Sequence, residues 1–400
     1  MKVLYIDINC KGSSTGQIVY SLFSNCKKNG IEAAVCYGRG PLIKEEGIYK
    51  FGLDLETSLH ALLTRLTGYM GRYSFFSTRK LIKYIKAFKP DVVHIHELHA
   101  YFVNIKTLLL YLKNNGIKTI ITNHCEFLYT GKCGQAKECL RFLDSCGNCP
   151  LKKEYPKSLF LDKTKQMFLE KKKIFDGWKD LYLVTPSMWL KTRIEMSFLK
   201  DKRVSVVHNG IDTGIYKVTI DDSVKTKYRI PSDKKIIISV APNIFSEQKG
   251  GYRFLDIARA FETEETMIFV AVGAIDKPDN IPSNVIVVPL IQDKEELVKL
   301  YSASDCMVIC STCETFPTTS IEAQCCGTKV VAYDAGGTKE TILSNNGLVV
   351  PFGDLDKTVE AIQSIINNPY KKDDISKIAF NEYSEESMFK NYLNIYKELL

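Results

Sequence analysis

Glu314 and Glu322 stand eight positions apart in Cys313-Glu314-Thr315-Phe316-Pro317-Thr318-Thr319-Ser320-Ile321-Glu322-Ala323. One precedes a proline and the other falls inside an expected helix. Pro317 suits a helix start, because its fixed φ fits the first turn and its missing N–H is not needed there. Thr318, Thr319 and Ser320 then offer hydroxyls and backbone N–H groups at the positive end of that helix, a setting that binds phosphate. Gly327, after Ala323-Gln324-Cys325-Cys326, ends the helix. Glu322 lies one turn in, where it can accept hydrogen bonds from a ligand's hydroxyls, while Glu314 stays on the loop. A phosphate-binding helix start beside two such carboxylates is chemistry suited to a nucleotide sugar.

Further groups belong with these. Lys249, in Glu247-Gln248-Lys249-Gly250-Gly251, opens a helix near Tyr252, and a cation at a glycine-rich helix start suits a diphosphate leaving group. Arg253 lies inside that helix and is expected to face solvent. Gly12-Ser13-Ser14-Thr15-Gly16 fits neither the G-x-x-x-x-G-K-[ST] nor the G-x-G-x-x-G spacing. Gly12 is instead expected in a mobile loop near the acceptor, or with its loop's amides approaching the donor phosphates. His124 ends a buried strand, as do Asn9 and His96. Ligands of open α/β sheets bind beyond the carboxyl ends of the strands. His94 and His96 share one strand face, and with Glu97 and His99 they could compose a metal site, although satisfied strand-end histidines are the expected case. Cys133, Cys139, Cys146 and Cys149 close in Cys146-Gly147-Asn148-Cys149-Pro150. One C-x2-C pair among four cysteines leaves two readings open, a structural zinc site and four reduced thiols.

Glu314 and Glu322, with Phe316-Pro317, Ala323, Gly327, Gly336-Gly337 and Glu340 in register, resemble the E-x7-E motif of retaining glycosyltransferases of family 4. Thr122-Asn123-His124 and Thr130-Gly131-Lys132-Cys133 extend the likeness, and the TGxC…CGxCP segment is similar to a subgroup of bacterial surface-polysaccharide glycosyltransferases. The resemblance implies the GT-B fold, two Rossmann-like domains facing an interdomain cleft. Residues 1–200 are then the acceptor-side domain, with helix 385–400 crossing back to it, and residues 201–384 bind the donor. The resemblance also implies roles. Lys249 holds the diphosphate, the helix start at Phe316, Pro317, Thr318 and Thr319 receives a phosphate, and Glu322 takes the ribose hydroxyls. Glu314 meets the sugar ring and His124 touches the transferred sugar, which makes these two the candidate catalytic residues. The chain departs from the family pattern twice: Asn243-Ile244-Phe245 stands where an arginine is usual, and Cys125 follows His124 where an acidic residue often does. The implied activity is retaining, metal-independent transfer of a sugar from a nucleotide-diphosphate donor, with no cofactor. The acceptor is a glycan or a polyprenyl-diphosphate-linked sugar, in capsule, O-antigen or exopolysaccharide synthesis. A nucleotide-sugar 2-epimerase of the same fold, or a catalytically silent binding scaffold, would share the donor grip.

The elements that must position these groups are those of an α/β chain. Apolar runs at 3–8, 33–37, 91–96, 118–124, 181–185 and 204–207 alternate with helical patterns, among them 17–30. A second series of strands follows at 235–240, 267–272, 285–288, 306–309 and 329–333, with helices at 252–261 and 294–302. Four hundred residues exceed one ordinary core and fit two α/β domains. No stretch approaches the ~20 apolar residues of a membrane span, and the opening Met1-Lys2-Val3-Leu4-Tyr5-Ile6-Asp7 reads as a strand, so a cytoplasmic protein with mostly reduced cysteines is expected. The formal charge of +8 is uneven, since residues 61–90 hold seven basic residues and no acidic one. Arg79, Lys83 and Lys86 recur there at helical spacing. That pattern fits either a solvated helix face or a peripheral contact with the inner face of the cytoplasmic membrane, aided by Tyr69, Tyr73, Phe75 and Phe76. Nucleic acid is not an expected partner, because the cations form one patch without a reading motif.

Overall fold

The computed structural model describes residues 1–276 and 278–400. They form two units, Met1–His208 with Phe389–Leu400, and Asn209–Met388. In the first, strands β1 (Lys2–Asp7), β2 (Glu32–Tyr37), β3 (Ile48–Lys50), β4 (Val92–Ile95), β5 (Lys118–Thr122), β6 (Leu181–Thr185) and β7 (Arg203–Val206) make one sheet in the order β3-β2-β1-β4-β5-β6-β7. All of its pairings are parallel. The central strands are buried on both faces, which is why they read as continuous apolar runs and not as alternating ones. The short β3 at the sheet edge has no counterpart among the expected strands. The split between the units falls after His208 and not after residue 200, because β7 pairs with β6 and so belongs to the first sheet.

The second unit contributes β8 (Lys235–Val240), β9 (Met267–Ala274), β10 (Val285–Pro289), β11 (Cys306–Ile309), β12 (Lys329–Tyr333) and β13 (Gly347–Val350). Their order, β10-β9-β8-β11-β12-β13, repeats the winding of the first sheet. Alternation along β8 divides two apolar layers: Ile236 and Ile238 pack with Val270 and Met307, while Ile237 packs with Phe269 and Val308 on the other face. In each sheet the strand order reverses once, between β1 and β4 and between β8 and β11. Ligands of doubly wound sheets bind beside such a reversal, outside the carboxyl ends of the strands.

The helix after β1 runs Ser14–Lys28, starting before the expected Gln17, because Ser13 caps it by accepting a hydrogen bond from the Gly16 N–H at 3.0 Å. Gly16 has no room for a side chain, since a Cβ there would lie 2.2 Å from Asn9 Oδ1. The last helix, Glu385–Leu399, delivers Phe389, Tyr392 and Tyr396 at helical spacing into the first unit's interior, all buried. Tyr396 Oη lies 3.1 Å from Tyr5 Oη and 2.8 Å from His94 Nδ1. His94 Nε2 lies 2.8 Å from Thr122 Oγ1, which is 2.9 Å from Tyr392 Oη. Both ring nitrogens of His94 are therefore engaged. Burial lowers its pKa well below the usual value, so it is a neutral structural histidine. Among the described residues no helix is long and apolar enough to cross a membrane.

Candidate active site

In the second unit the loop after β11 carries Glu314, and the loop after β8 carries Lys249. They meet, with Lys249 Nζ donating to Glu314 Oε1 at 2.6 Å. Two backbone approaches hold the loops. The Thr312 N–H donates to the Gln248 carbonyl at 2.9 Å, and Gly250, at φ +71°, sits so close to β11 that a Cβ would lie 2.1 Å from the Cys310 carbonyl. On the other side the Gly337 N–H donates to the Glu314 carbonyl at 2.7 Å. Gly336 has φ +69°, and a Cβ there would lie 2.4 Å from that same carbonyl oxygen. Gly336→Ala is accordingly expected to cost about 2 kcal/mol or more through left-handed strain and a displaced Glu314. A melting curve beside an activity assay reads both effects.

Pro317, with φ −68° and ψ 116°, precedes the helix Thr318–Cys325. Thr318 and Thr319 are partly exposed and carry the first N–H groups of the helix, which have no acceptor within it. Ser320 differs: it is buried, and its hydroxyl accepts from Thr341 Oγ1 at 2.7 Å, so it braces the helix from below. Phe316 is also a core residue, its ring buried 6.0 Å from that of Tyr383. The apolar layer under β11 takes the ring, so Phe316, expected with Pro317, Thr318 and Thr319 at the phosphate-receiving helix start, anchors the loop with its side chain. Glu322 accepts from Tyr301 Oη at 3.2 Å. Burial raises its pKa to about 7, against hydrogen bonds from Tyr301 and Thr318 that lower it. Arg253 lays its guanidinium over the Phe352 ring at 5.0 Å, away from a role as second phosphate clamp.

In the first unit the ends of β1, β4 and β5 gather a second polar cluster. His124 Nε2 lies 3.0 Å from His96 Nδ1, with the rings stacked at 5.3 Å, and burial lowers the pKa of both. Asp7 is fully buried and accepts from Thr15 Oγ1 at 3.2 Å. Burial, then the nearby Glu97, raises its pKa to about 8. Burial works to raise Glu97 as well, but His99 Nε2 at 2.9 Å outweighs it and leaves that carboxyl lowered. Cys125 Sγ lies 3.7 Å from Glu97 Oε2, so a carboxylate does reach the position after His124, from the neighbouring strand. Glu126 is spoken for: Arg193, Tyr129 and the Ala136 N–H all donate to it. Gly12 is exposed in the loop between Asn9 and the first helix.

The four cysteines do not assemble as a ligand set. Cys133 and Cys149 share a hydrogen bond that pushes the Cys133 thiol up, and Cys146 Sγ accepts from the Gly131 N–H at 3.2 Å. Among the described residues, however, no three of them bring their sulfurs within 4.8 Å of one another, whereas thiolates on one zinc share a single tetrahedron with Zn–S near ~2.3 Å. The segment is organised by a buried cation instead. Lys132 Nζ donates to the carbonyls of Lys152, Glu154 and Pro156 at 2.8, 3.0 and 2.6 Å.

Comparison with known proteins decides the family. The model described as Glycosyltransferase Family 4 matches residues 15–214, half of the chain, and that described as Glycosyl transferases group 1 matches residues 221–382. The chain belongs to glycosyltransferase family 4. This glycosyltransferase is 21% identical to WcaC of Escherichia coli, assigned as a colanic acid biosynthesis glycosyl transferase, over all of both chains. Its fold is that of a glycosyltransferase structure from Rickettsia africae, with TM-score 0.71, 16% identity and 99% and 98% of the two chains covered. It is also that of Anabaena HepE in complex with UDP-glucose, with TM-score 0.65, 14% identity and both chains covered in full. These likenesses establish a GT-B glycosyltransferase. Within it, reasoning from sequence missed Asp7 and Tyr301. Asp7 had a readable signal, a carboxylate ending an otherwise apolar central strand. Tyr301 had none, since it lies on a different helix from Glu322.

Proposed function

We propose that this glycosyltransferase transfers a sugar, with retention of anomeric configuration, from a nucleoside-diphosphate sugar to a glycan or polyprenyl-diphosphate-linked acceptor in surface polysaccharide synthesis. The observation that carries the donor assignment is the convergence of Lys249 and Glu314 beside a helix start with Glu322 one turn inside. Departure of a nucleoside diphosphate builds negative charge. The Lys249 ammonium and the N–H groups of Thr318 and Thr319 would stabilise that charge, with no divalent metal assigned a part. Glu322 would accept from the ribose hydroxyls and Glu314 from the sugar ring, once the phosphates draw Lys249 away from it. For His124, at the end of β5, we keep the role that the family resemblance implies, contact with the transferred sugar. The bound UDP-glucose of HepE and the colanic acid assignment of WcaC support the donor class and the pathway class. The basic stretch 61–90 would bring the enzyme to a lipid-linked acceptor. The TGxC…CGxCP spacing supports the reading of an enzyme of surface polysaccharide synthesis.

The test is thermal stabilisation by UDP, GDP, ADP and their sugar conjugates. A ligand at a hundredfold its Kd adds about 2.7 kcal/mol, and one nucleotide series is expected to stabilise the wild type but not Glu322→Ala. Affinity should also rise with pH. Glu322 must be ionised to accept two hydroxyls, and its pKa is raised to about 7, so binding strengthens roughly tenfold from about pH 6 to 8 and then levels off. The free protein runs the other way. A raised carboxyl contributes stability that is full below its usual value of 4.5 and is lost as pH climbs through about 7, so each shift is referred to ligand-free protein at the same pH. Stabilisation by no nucleotide would sink the donor assignment and favour a silent scaffold. Epimerised donor formed without acceptor would favour the 2-epimerase.

A further inference from the structure

The helix Asp54–Thr67 is inside out. Its buried positions are Thr57, His60 and Thr64, whereas Leu55, Leu59, Leu62 and Leu66 are 85%, 52%, 50% and 41% exposed. Spacings of four, three and four place the leucines in one stripe, opposite the buried threonines and histidine. An ordinary surface helix has the reverse arrangement. The orientation is fixed by polar bonds that only this face can make. The Gly71 N–H donates to His60 Nε2 at 3.1 Å, and His60 Nδ1 lies 2.7 Å from Ser74 Oγ, which donates to the Tyr101 carbonyl at 2.8 Å. Burial lowers the His60 pKa to about 4, so the ring is neutral and donates through Nδ1 while accepting at Nε2. Thr64 Oγ1 donates to the Tyr69 carbonyl at 3.2 Å. Turning the leucines inward would break this chain of bonds.

Exposed apolar residues extend the stripe at both ends. Glu56 accepts from the Phe76 and Ser77 N–H groups, each at 2.8 Å, which sets the exposed Phe75 and Phe76 beside the helix start. At the other end the Leu159 N–H donates to the Arg65 carbonyl at 2.8 Å, which brings up Phe160, 67% exposed. Exposed apolar side chains gathered along one helix and at both its ends mark an interaction site. Its surroundings choose the partner: Arg65, Arg72, Arg79, Lys83 and Lys86 are all exposed, and residues 61–90 contain no acid. At the start of the stripe Asp54 is paired with Lys50 and Glu56 accepts from the Phe76 and Ser77 N–H groups. Beyond them the charges of residues 61–90 are all cationic, and apolar side chains beside such cations match an anionic bilayer surface, acyl chains below and acidic headgroups around.

We propose that the leucine stripe of this helix, with Phe75, Phe76 and Phe160, is the surface that inserts into an anionic lipid leaflet. This inference rests on the peripheral contact proposed above for residues 61–90 and changes its working part, from the cations alone to the leucines upstream of them. The full chain is sedimented with phosphatidylcholine vesicles, with and without phosphatidylglycerol. Wild type is expected to bind the anionic vesicles, and L59S/L62S to bind them weaker by about tenfold for each leucine removed. R79Q/K83Q should lose about fivefold for each cation. Both leucines are half exposed, so the variants keep their melting temperature, and nucleotide stabilisation measured on the same samples keeps the donor site under separate test. If L59S/L62S binds like wild type while R79Q/K83Q does not, the leucine face is refuted and the basic contact stands. Wild type ignoring every vesicle would overturn both. A dimer by sedimentation velocity that L59S/L62S dissolves would show that a second copy covers the stripe, and would overturn the lipid assignment too.

Discussion

Lys249→Ala is expected to lower kcat by about a hundredfold to a thousandfold, the scale of losing one preorganised group aimed at developing charge. Before donor arrives the ammonium is held by Glu314 at 2.6 Å on a loop pinned by Gly250, so the phosphates need only draw it from one acceptor to the next. The pair is partly shielded, with 25% and 12% of the two side chains exposed, and ion pairs of that kind add about 1 kcal/mol or less to stability. A structural role for Lys249 would therefore show as a small drop in melting temperature and little change in kcat. A charge-stabilising role shows as the reverse. Glu314→Gln separates the two partners further. It frees Lys249 for the phosphates, so nucleotide binding should hold or tighten while turnover on the intact sugar donor falls. Release of nucleoside diphosphate in a single-turnover assay reads both variants, and unchanged kcat in Lys249→Ala would remove that residue from the mechanism.

The second large effect lies in the first unit. Tyr396→Ala should cost the first unit about 3–5 kcal/mol for a large buried side chain, and more because Tyr5 Oη and His94 Nδ1 lose the hydroxyl they share. At about 2–4 °C per kcal/mol for a unit of this size, the melting temperature falls by roughly 10 °C or more. Tyr396→Phe keeps the ring and loses only the hydroxyl, so it should fall by a smaller step. Equal, negligible shifts in both variants would show that the last helix is not part of this core.

Much of the fold was legible because buried parallel strands announce themselves as apolar runs. The centres of β1, β4, β8 and β12 are the apolar runs Val3-Leu4-Tyr5-Ile6, Val92-Val93, Ile236-Ile237-Ile238 and Val330-Val331-Ala332. The two missed strands, β3 and β13, are short edges with partly exposed side chains, where an apolar run is not required. The helix Asp54–Thr67 has no counterpart among the expected elements, since its leucines point the wrong way for a pattern that assumes an apolar interior. In the candidate site the positions of Glu314, Glu322 and Lys249 followed from spacing against a helix start. What spacing does not contain is who pairs with whom: the Lys249–Glu314 bond joins loops 65 residues apart, and the Tyr301 hydroxyl meets Glu322 from another helix. The cysteines mislead for the same reason. Their intervals allow a zinc tetrahedron, but the Lys132 ammonium, gathering three carbonyls, decides how that segment is held.

The last helix also sets an order of events on the ribosome. Residues 1–208 are made first, but the interior of their unit lacks Tyr392 and Tyr396 until residues 389–400 emerge. The second unit is continuous in sequence, from Asn209 to Met388, and can complete its core as soon as it leaves the tunnel. At about 5–20 residues per second, the intervening stretch takes roughly ten to forty seconds to synthesise. For that time Tyr5, His94 and Thr122 wait without their partners, so the half of the protein that is born first is the half that finishes last.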